Sequence, residues 1–161
     1  MMTPLHLPSS LARLIEEEAV RAYPDECCGI LFGRDEATEA GERRRALNRV
    51  EPAPNVFDPT QRARRFLIDP LALMRAERDA ADAGVAVVGF YHSHPDRPAR
   101  PSAYDREHAW PFYSYVIVSV HAREAVDLTS WVLDDATRSF RRQDVVELAA
   151  ELAEGALRDR R

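Results

Sequence analysis

The chain has 161 residues, 45% hydrophobic and 30% charged, with a formal net charge of −5. Such a composition is ordinary for a soluble globular protein, and the length suits one domain over 1–161 whose core needs no staples. The negative charge removes any general electrostatic case for nucleic-acid binding.

No stretch approaches the roughly 20 apolar residues of a membrane span. Met1 to Pro8 has neither the positive nor the apolar region of a secretory leader. The adjacent Cys27 and Cys28 suit a reducing cytoplasm better than a disulfide framework. A first helix is expected from about Ser10 to Tyr23. Ser9 or Ser10 can cap it, Leu11, Leu14, Ile15 and Ala19 make its apolar stripe, and Pro24 ends it. The apolar run from Cys27 to Phe32 reads as a core strand with Glu26 at its entry. A carboxylate at that point is either solvated at the strand end or kept for a task. Cys28, on the same face as Glu26, reads as a small core residue, with lining of a site as the alternative.

Asp35 to Gly41 reads as a polar hairpin or loop and Arg44 to Val50 as a second strand. Residues 51–65 carry Pro52, Pro54 and Pro59 and few core residues, so they form an irregular excursion of the kind that more often binds than packs. Arg43-Arg44-Arg45 and the Arg62–Arg65 cluster read as solvated surface, with an acidic partner as the alternative. Asp69-Pro70 starts a second helix, and Gly84 stops it.

The unbroken apolar run Val85 to Tyr91 then suits a strand buried on both faces, ending in His92-Ser93-His94-Pro95. Side chains alternate along a strand, so His92 and His94 share a face and Ser93 points away. Ser102-Ala103-Tyr104-Asp105 fits the Ser-x-x-Asp box of a helix starting after Pro101, and capping alone accounts for it. The loop is also short enough to swing Asp105 back beside the two histidines. Two imidazoles and a carboxylate are the donor set of an open hydrolytic zinc site, and the same set suits mononuclear Fe(II).

Tyr113 to Val120, Val126 to Leu133 and Thr137 to Arg142 read as a three-strand meander. A last helix is expected from Asp144, with Val145, Leu148, Ala149, Leu152 and Ala156 on a stripe facing the core or, less favoured, a second copy. His6, His108 and His121 read as surface; His108, a helical turn after Asp105, alternatively supports it. Trp110 and Trp131 read as core or rim aromatics. The fold class is mixed α+β: a mixed β-sheet with flanking helices.

Taken together, Glu26, His92-x-His94-Pro95 and Ser102-x-x-Asp105 resemble the JAMM (MPN-plus) metalloprotease family, over the span from the first helix to the strands after Asp105. The resemblance implies that His92, His94 and Asp105 bind Zn²⁺. It gives Glu26 the role of general base and then general acid, and Ser102 that of hydrogen-bond donor to the oxyanion. Tyr23 to Leu31, Arg65-Phe66-Leu67-Ile68-Asp69-Pro70 and Tyr91 to His94 look similar to the small free-standing prokaryotic members. Those members act on ubiquitin-like β-grasp proteins, including sulfur carriers that end in Gly-Gly.

The implied activity is therefore hydrolysis of the amide bond after such a Gly-Gly, releasing cysteine or another adduct. A non-catalytic interaction module and a DNA-repair-associated relative are the alternatives; the net negative charge and the single short helix before the motif weigh against the latter. The substrate carrier is the expected partner, with no nucleic acid or membrane, and a homodimer is left open. The Asp96–Pro101 loop, rich in Arg and Pro, departs from the family pattern beside the site.

Overall fold

The computed structural model describes residues 2–149. Its frame is one mixed sheet built from β1 (Leu5–Pro8), β2 (Cys28–Ala37), β3 (Arg43–Ala53), β4 (Ala86–Pro95), β5 (Ser114–His121), β6 (Glu124–Asp134), β7 (Ser139–Gln143) and β8 (Val145–Leu148). Among the described residues three α-helices accompany it: α1 (Ser9–Ala22), α2 (Pro70–Asp82) and α3 (Ala103–His108). The spatial order is β7-β6-β5-β4-β2-β3-β1-β8. β7 and β8 thus sit at opposite ends of the order, although only Asp144 separates them in sequence, so the sheet curls until its two edges approach. Gln143 ties that seam. Its Oε1 accepts from Ser114 Oγ and Ser130 Oγ, each at 2.8 Å, and its Nε2 donates to the Thr3 carbonyl at 2.8 Å.

Both faces of the central strands are covered, which is why β4 is apolar without alternation. On one side α1 brings Ala12, Ile15 and Ala19 against Leu31, Val88, Tyr91, Val116 and Val118. On the other, Ala76 and Ala80 of α2 pack over Ile30, Phe32 and Val87. Each fully buried large aliphatic here contributes about 1.5–3 kcal/mol of transfer free energy. Close approaches at Gly29 and Gly89 require glycine. A Cβ on Gly29 would stand 2.1 Å from Tyr91 Cζ, and one on Gly89 would stand 2.0 Å from the Ser114 carbonyl oxygen.

Several expectations are corrected. Leu5–Pro8, to which no element is assigned from sequence, forms a strand that pairs parallel with both β3 and β8. α1 starts at Ser9 behind Pro8 with no side-chain cap, so neither Ser9 nor Ser10 caps it. The second strand runs on to Ala53 because Ala53 pairs with Cys28, taking the first part of the 51–65 excursion into the sheet. The helix expected from Asp144 is instead β8, at least as far as Leu148. Val-Val-Glu-Leu is too short for its apolar spacing to separate helix from strand, and the open edge of β1 decides. Ala149 lies beyond β8, and Leu152 and Ala156 lie outside the described residues. Arg45, read as solvated, is 6% exposed. It ion-pairs with Asp35 at 2.8 Å and donates to the Val88 and Phe112 carbonyls and to Ser114 Oγ.

Candidate metal centre

The site forms where β4 runs out. Parallel pairing with β5 sets His92 opposite Ile117 and His94 opposite Ser119, while β2 brings Cys28 opposite His92. The two imidazoles leave the same face, and their Nε2 atoms lie 3.2 Å apart. Ser93 points the other way. Its Oγ accepts the Cys27 N–H at 2.8 Å and its N–H donates to the Cys27 carbonyl at 3.2 Å. That pair of bonds locks the entry of β2, and with it Glu26, against the histidine strand.

The loop after Pro95 is clamped rather than loose. Asp96 N–H donates to the Val120 carbonyl at 2.7 Å, Ser119 Oγ donates to the Arg97 carbonyl at 2.5 Å, and Thr129 Oγ1 donates to the Ala99 carbonyl at 2.7 Å. The Pro98 carbonyl accepts from His94 Nδ1 at 2.9 Å. The loop delivers Ser102 to the start of α3, where both halves of the capping box form. Ser102 Oγ accepts the Asp105 N–H at 3.0 Å, and Asp105 Oδ2 accepts the Ser102 N–H at 2.8 Å. The same Oδ2 lies 3.3 Å from His92 Nε2 and 3.3 Å from His94 Nε2. The capping and metal readings of this tetrad, open in the sequence, are therefore compatible: one oxygen serves both.

Glu26 is held on the far side. Its N–H donates to the Arg62 carbonyl at 2.8 Å, and its carbonyl accepts from Asn55 Nδ2 at 3.1 Å. Its Oε2 accepts from Arg97 Nη2 at 3.1 Å. Burial pushes the Glu26 carboxyl up to about 7, with Asp105 adding to the rise and His92 and Arg97 opposing it. Burial would also raise Asp105, but the charge of His92 and the hydrogen bonds from His92, His94 and Ser102 hold it well below the usual carboxylate range. Burial lowers His94, whereas His92 is raised because Asp105 outweighs its burial.

These positions can be tested against a metal. Four-coordinate zinc with bonds of about 2.0–2.1 Å to N and O places its ligand atoms about 3.3–3.4 Å apart. The three edges of the His92–His94–Asp105 triangle, 3.2, 3.3 and 3.3 Å, match that spacing. His94 Nδ1–H donates to Pro98, so its Nε2 carries the lone pair and faces a carboxylate oxygen. A cation between them removes that conflict. A second set, Glu26 with the two histidines, has its ligand atoms within 4.8 Å of one another. This looser spacing, and the engagement of Glu26 with Arg97, make Asp105 the better third donor. Among the described residues Glu26 Oε1, His92 Nδ1 and Arg97 Nε are buried without a hydrogen-bond partner.

Residues that the sequence did not single out complete the surroundings. Phe66 stacks on His92 with ring centroids 4.5 Å apart. Asn55 is a staple, donating to the Glu26 and Arg65 carbonyls and accepting from the Phe57 and Leu67 N–H groups. The Arg65-Phe66-Leu67 phrase was the available signal for Phe66, and an Asn amid the prolines of the excursion was the signal for Asn55. An apolar cleft of about 180 Å³, with Phe66, Phe90, Tyr104 and Tyr115 among its walls, opens onto His92 and Asp105. Trp110 on its rim is mostly exposed, and His108 is exposed with its ring stacked on Tyr104. Cys28 is fully buried, and both cysteines are free.

A curled mixed sheet that gathers two strand-end imidazoles, a helix-capping carboxylate and a buried glutamate defines a protein with a candidate hydrolytic metal centre. The family follows from comparison: the chain belongs to the prokaryotic homologs of the JAB domain, whose model matches residues 8–134. It is 38% identical over 108 residues to the desampylase of Haloferax volcanii, covering 66% of this chain and 71% of that one. It is 30% identical over 144 residues to the CysO-cysteine peptidase of Mycobacterium tuberculosis, covering 89% and 92% of the two chains. Among solved structures it is similar to a Desulfitobacterium hafniense protein, with a TM-score of 0.74 and 30% identity over 90% of this chain and 93% of that one.

Proposed function

We propose that this protein is a zinc peptidase that hydrolyses the amide bond following the C-terminal Gly-Gly of a ubiquitin-like or sulfur-carrier protein. The observation that carries the proposal is the triangle of His92 Nε2, His94 Nε2 and Asp105 Oδ2, with a buried carboxylate, Glu26, beside it. The substrate class rests on relatives named for such chemistry, a desampylase and a CysO-cysteine peptidase. Zinc, when bound, supplies an acidified water and an electrophile for the carbonyl oxygen.

His92, His94 and Asp105 would hold the ion. Glu26 takes a proton from the attacking water as oxygen adds to the carbonyl carbon. It then carries that proton to the amine nitrogen as the C–N bond breaks, leaving a Gly-Gly carboxylate and a free amine. Its burial beside the three donors places the carboxylate for both halves of that transfer. Ser102 Oγ spends a lone pair on the Asp105 N–H, which leaves its hydroxyl hydrogen to donate to the developing oxyanion. The irregular 54–65 segment borders the groove for the extended tail, because it fixes Glu26 through Asn55 and Arg62. A reducing cytoplasm suits the two free cysteines. Among the described residues no helix is long and apolar enough to cross a membrane.

The test is to incubate zinc-loaded protein with Gly-Gly carriers from the same organism, each extended or conjugated at its C-terminus, and to weigh the products. A mass loss equal to the adduct is expected. Zinc-loaded protein that leaves every such carrier intact would overturn the proposal.

A further inference from the structure

The Asp96–Pro101 loop sets one cation directly against the proton-transferring group. Arg97 is fixed by its own carbonyl, which accepts Ser119 Oγ at 2.5 Å, and its Nη2 reaches Glu26 Oε2 at 3.1 Å. Its side chain remains about one third exposed, at 32%. Its Nε is buried without a partner among the described residues. Apart from Glu26, the neighbouring acids do not compete for it. Asp96 accepts the Tyr23 hydroxyl at 2.5 Å, and Asp105 is engaged by His92, His94 and Ser102. The guanidinium therefore has unused donors and faces the site.

We infer that Arg97 forms a carboxylate subsite for the leaving group, so that the favoured substrate carries a single amino acid with a free α-carboxylate after the Gly-Gly. The inference rests on the proposed function and deepens it. Glu26 must come within hydrogen-bond reach of the leaving nitrogen, about 2.6–3.2 Å, to protonate it. In a released α-amino acid the carboxylate carbon is only two bonds from that nitrogen. A cation 3.1 Å from Glu26 is therefore within reach of it. In a lysine isopeptide the atom two bonds from the nitrogen is a methylene carbon, with no charge for Arg97 to meet. Planar guanidinium donors suit a carboxylate in a way that no methylene can use.

The test compares one Gly-Gly carrier extended by a single alanine, prepared as the free acid and as the C-terminal carboxamide. For the zinc-loaded wild type, kcat/KM is expected to favour the acid by at least about tenfold, chiefly through KM, as for a hydrogen bond to a charged group. In Arg97→Gln that ratio is expected to fall to about one, and Arg97→Lys should restore part of it. A wild-type ratio near one, or a ratio unchanged in Arg97→Gln, overturns the inference. Calorimetric binding of the two probes reads the same preference without turnover. If neither probe is cleaved, calorimetry decides the inference alone: equal affinities for acid and carboxamide overturn the Arg97 subsite, while the proposed function stands or falls on the full set of extended and conjugated carriers.

Discussion

Ser93 and Cys27 join the two halves of the site: the Ser93 hydroxyl accepts the Cys27 N–H at 2.8 Å while the Ser93 N–H donates to the Cys27 carbonyl at 3.2 Å. The residue between the two histidines thus holds the chain immediately after Glu26. Ser93→Ala would leave the buried Cys27 N–H without its acceptor, at about 1–3 kcal/mol in stability. The three proposed ligands stay on β4 and α3, so metal stoichiometry should hold while kcat falls. Chemical denaturation, metal analysis and steady-state kinetics check the three parts, and an unchanged kcat would mean that Glu26 does not depend on this link.

Glu26→Gln keeps the shape of the site and removes the proposed base. Metal content should be preserved and kcat should fall by about 10²–10⁴, the usual contribution of a positioned general acid–base group. Turnover close to wild type would take Glu26 out of the mechanism.

Ser102 and Asp105 share one cap but should fail differently. Ser102→Ala removes a helix N-cap, at about 1 kcal/mol, and the proposed oxyanion donor, at about 10²–10³ in kcat, while zinc stays bound. Asp105→Asn can keep one oxygen both on the cap and facing the imidazoles, but it loses the carboxylate charge, so zinc stoichiometry should fall while α3 persists. Metal analysis separates the two variants; loss of zinc in Ser102→Ala would show that the cap, rather than the carboxylate, holds the ion.

Much of this was legible in the sequence because the site is built from local rules. Strand alternation alone puts His92 and His94 on one face, and the Ser102–Asp105 box announces its own helix start. What stayed hidden depends on chain segments distant in sequence. Arg45 looks like one of three surface arginines, and only the curl of the sheet brings Val88, Phe112 and Ser114 around it. β1 and β8 are short and pair with each other, so neither carries a signal without its partner. Arg97 reaches Glu26 across the loop after β4, a contact that composition cannot report.

The elevated carboxyl of Glu26 also has a consequence for stability, separable from activity in the metal-free protein. Burial raises its folded-state value from 4.5 to about 7. The folded state therefore binds more protons than the unfolded state between those values, and the contribution of Glu26 to stability falls as pH rises through that window. Above it the whole cost is present, on the order of 3 kcal/mol from 1.36 kcal/mol per pKa unit. Glu26→Gln has no such titration, although it gives up the charge that Arg97 meets at 3.1 Å. The chelated variant should therefore gain roughly 1–3 kcal/mol over the chelated wild type at pH 8. The gain should shrink steadily toward pH 4.5, where Glu26 is protonated in the folded state. Urea melts of both proteins across that range measure the difference. A gap that does not change with pH would mean that the Glu26 carboxylate is not destabilised by its burial.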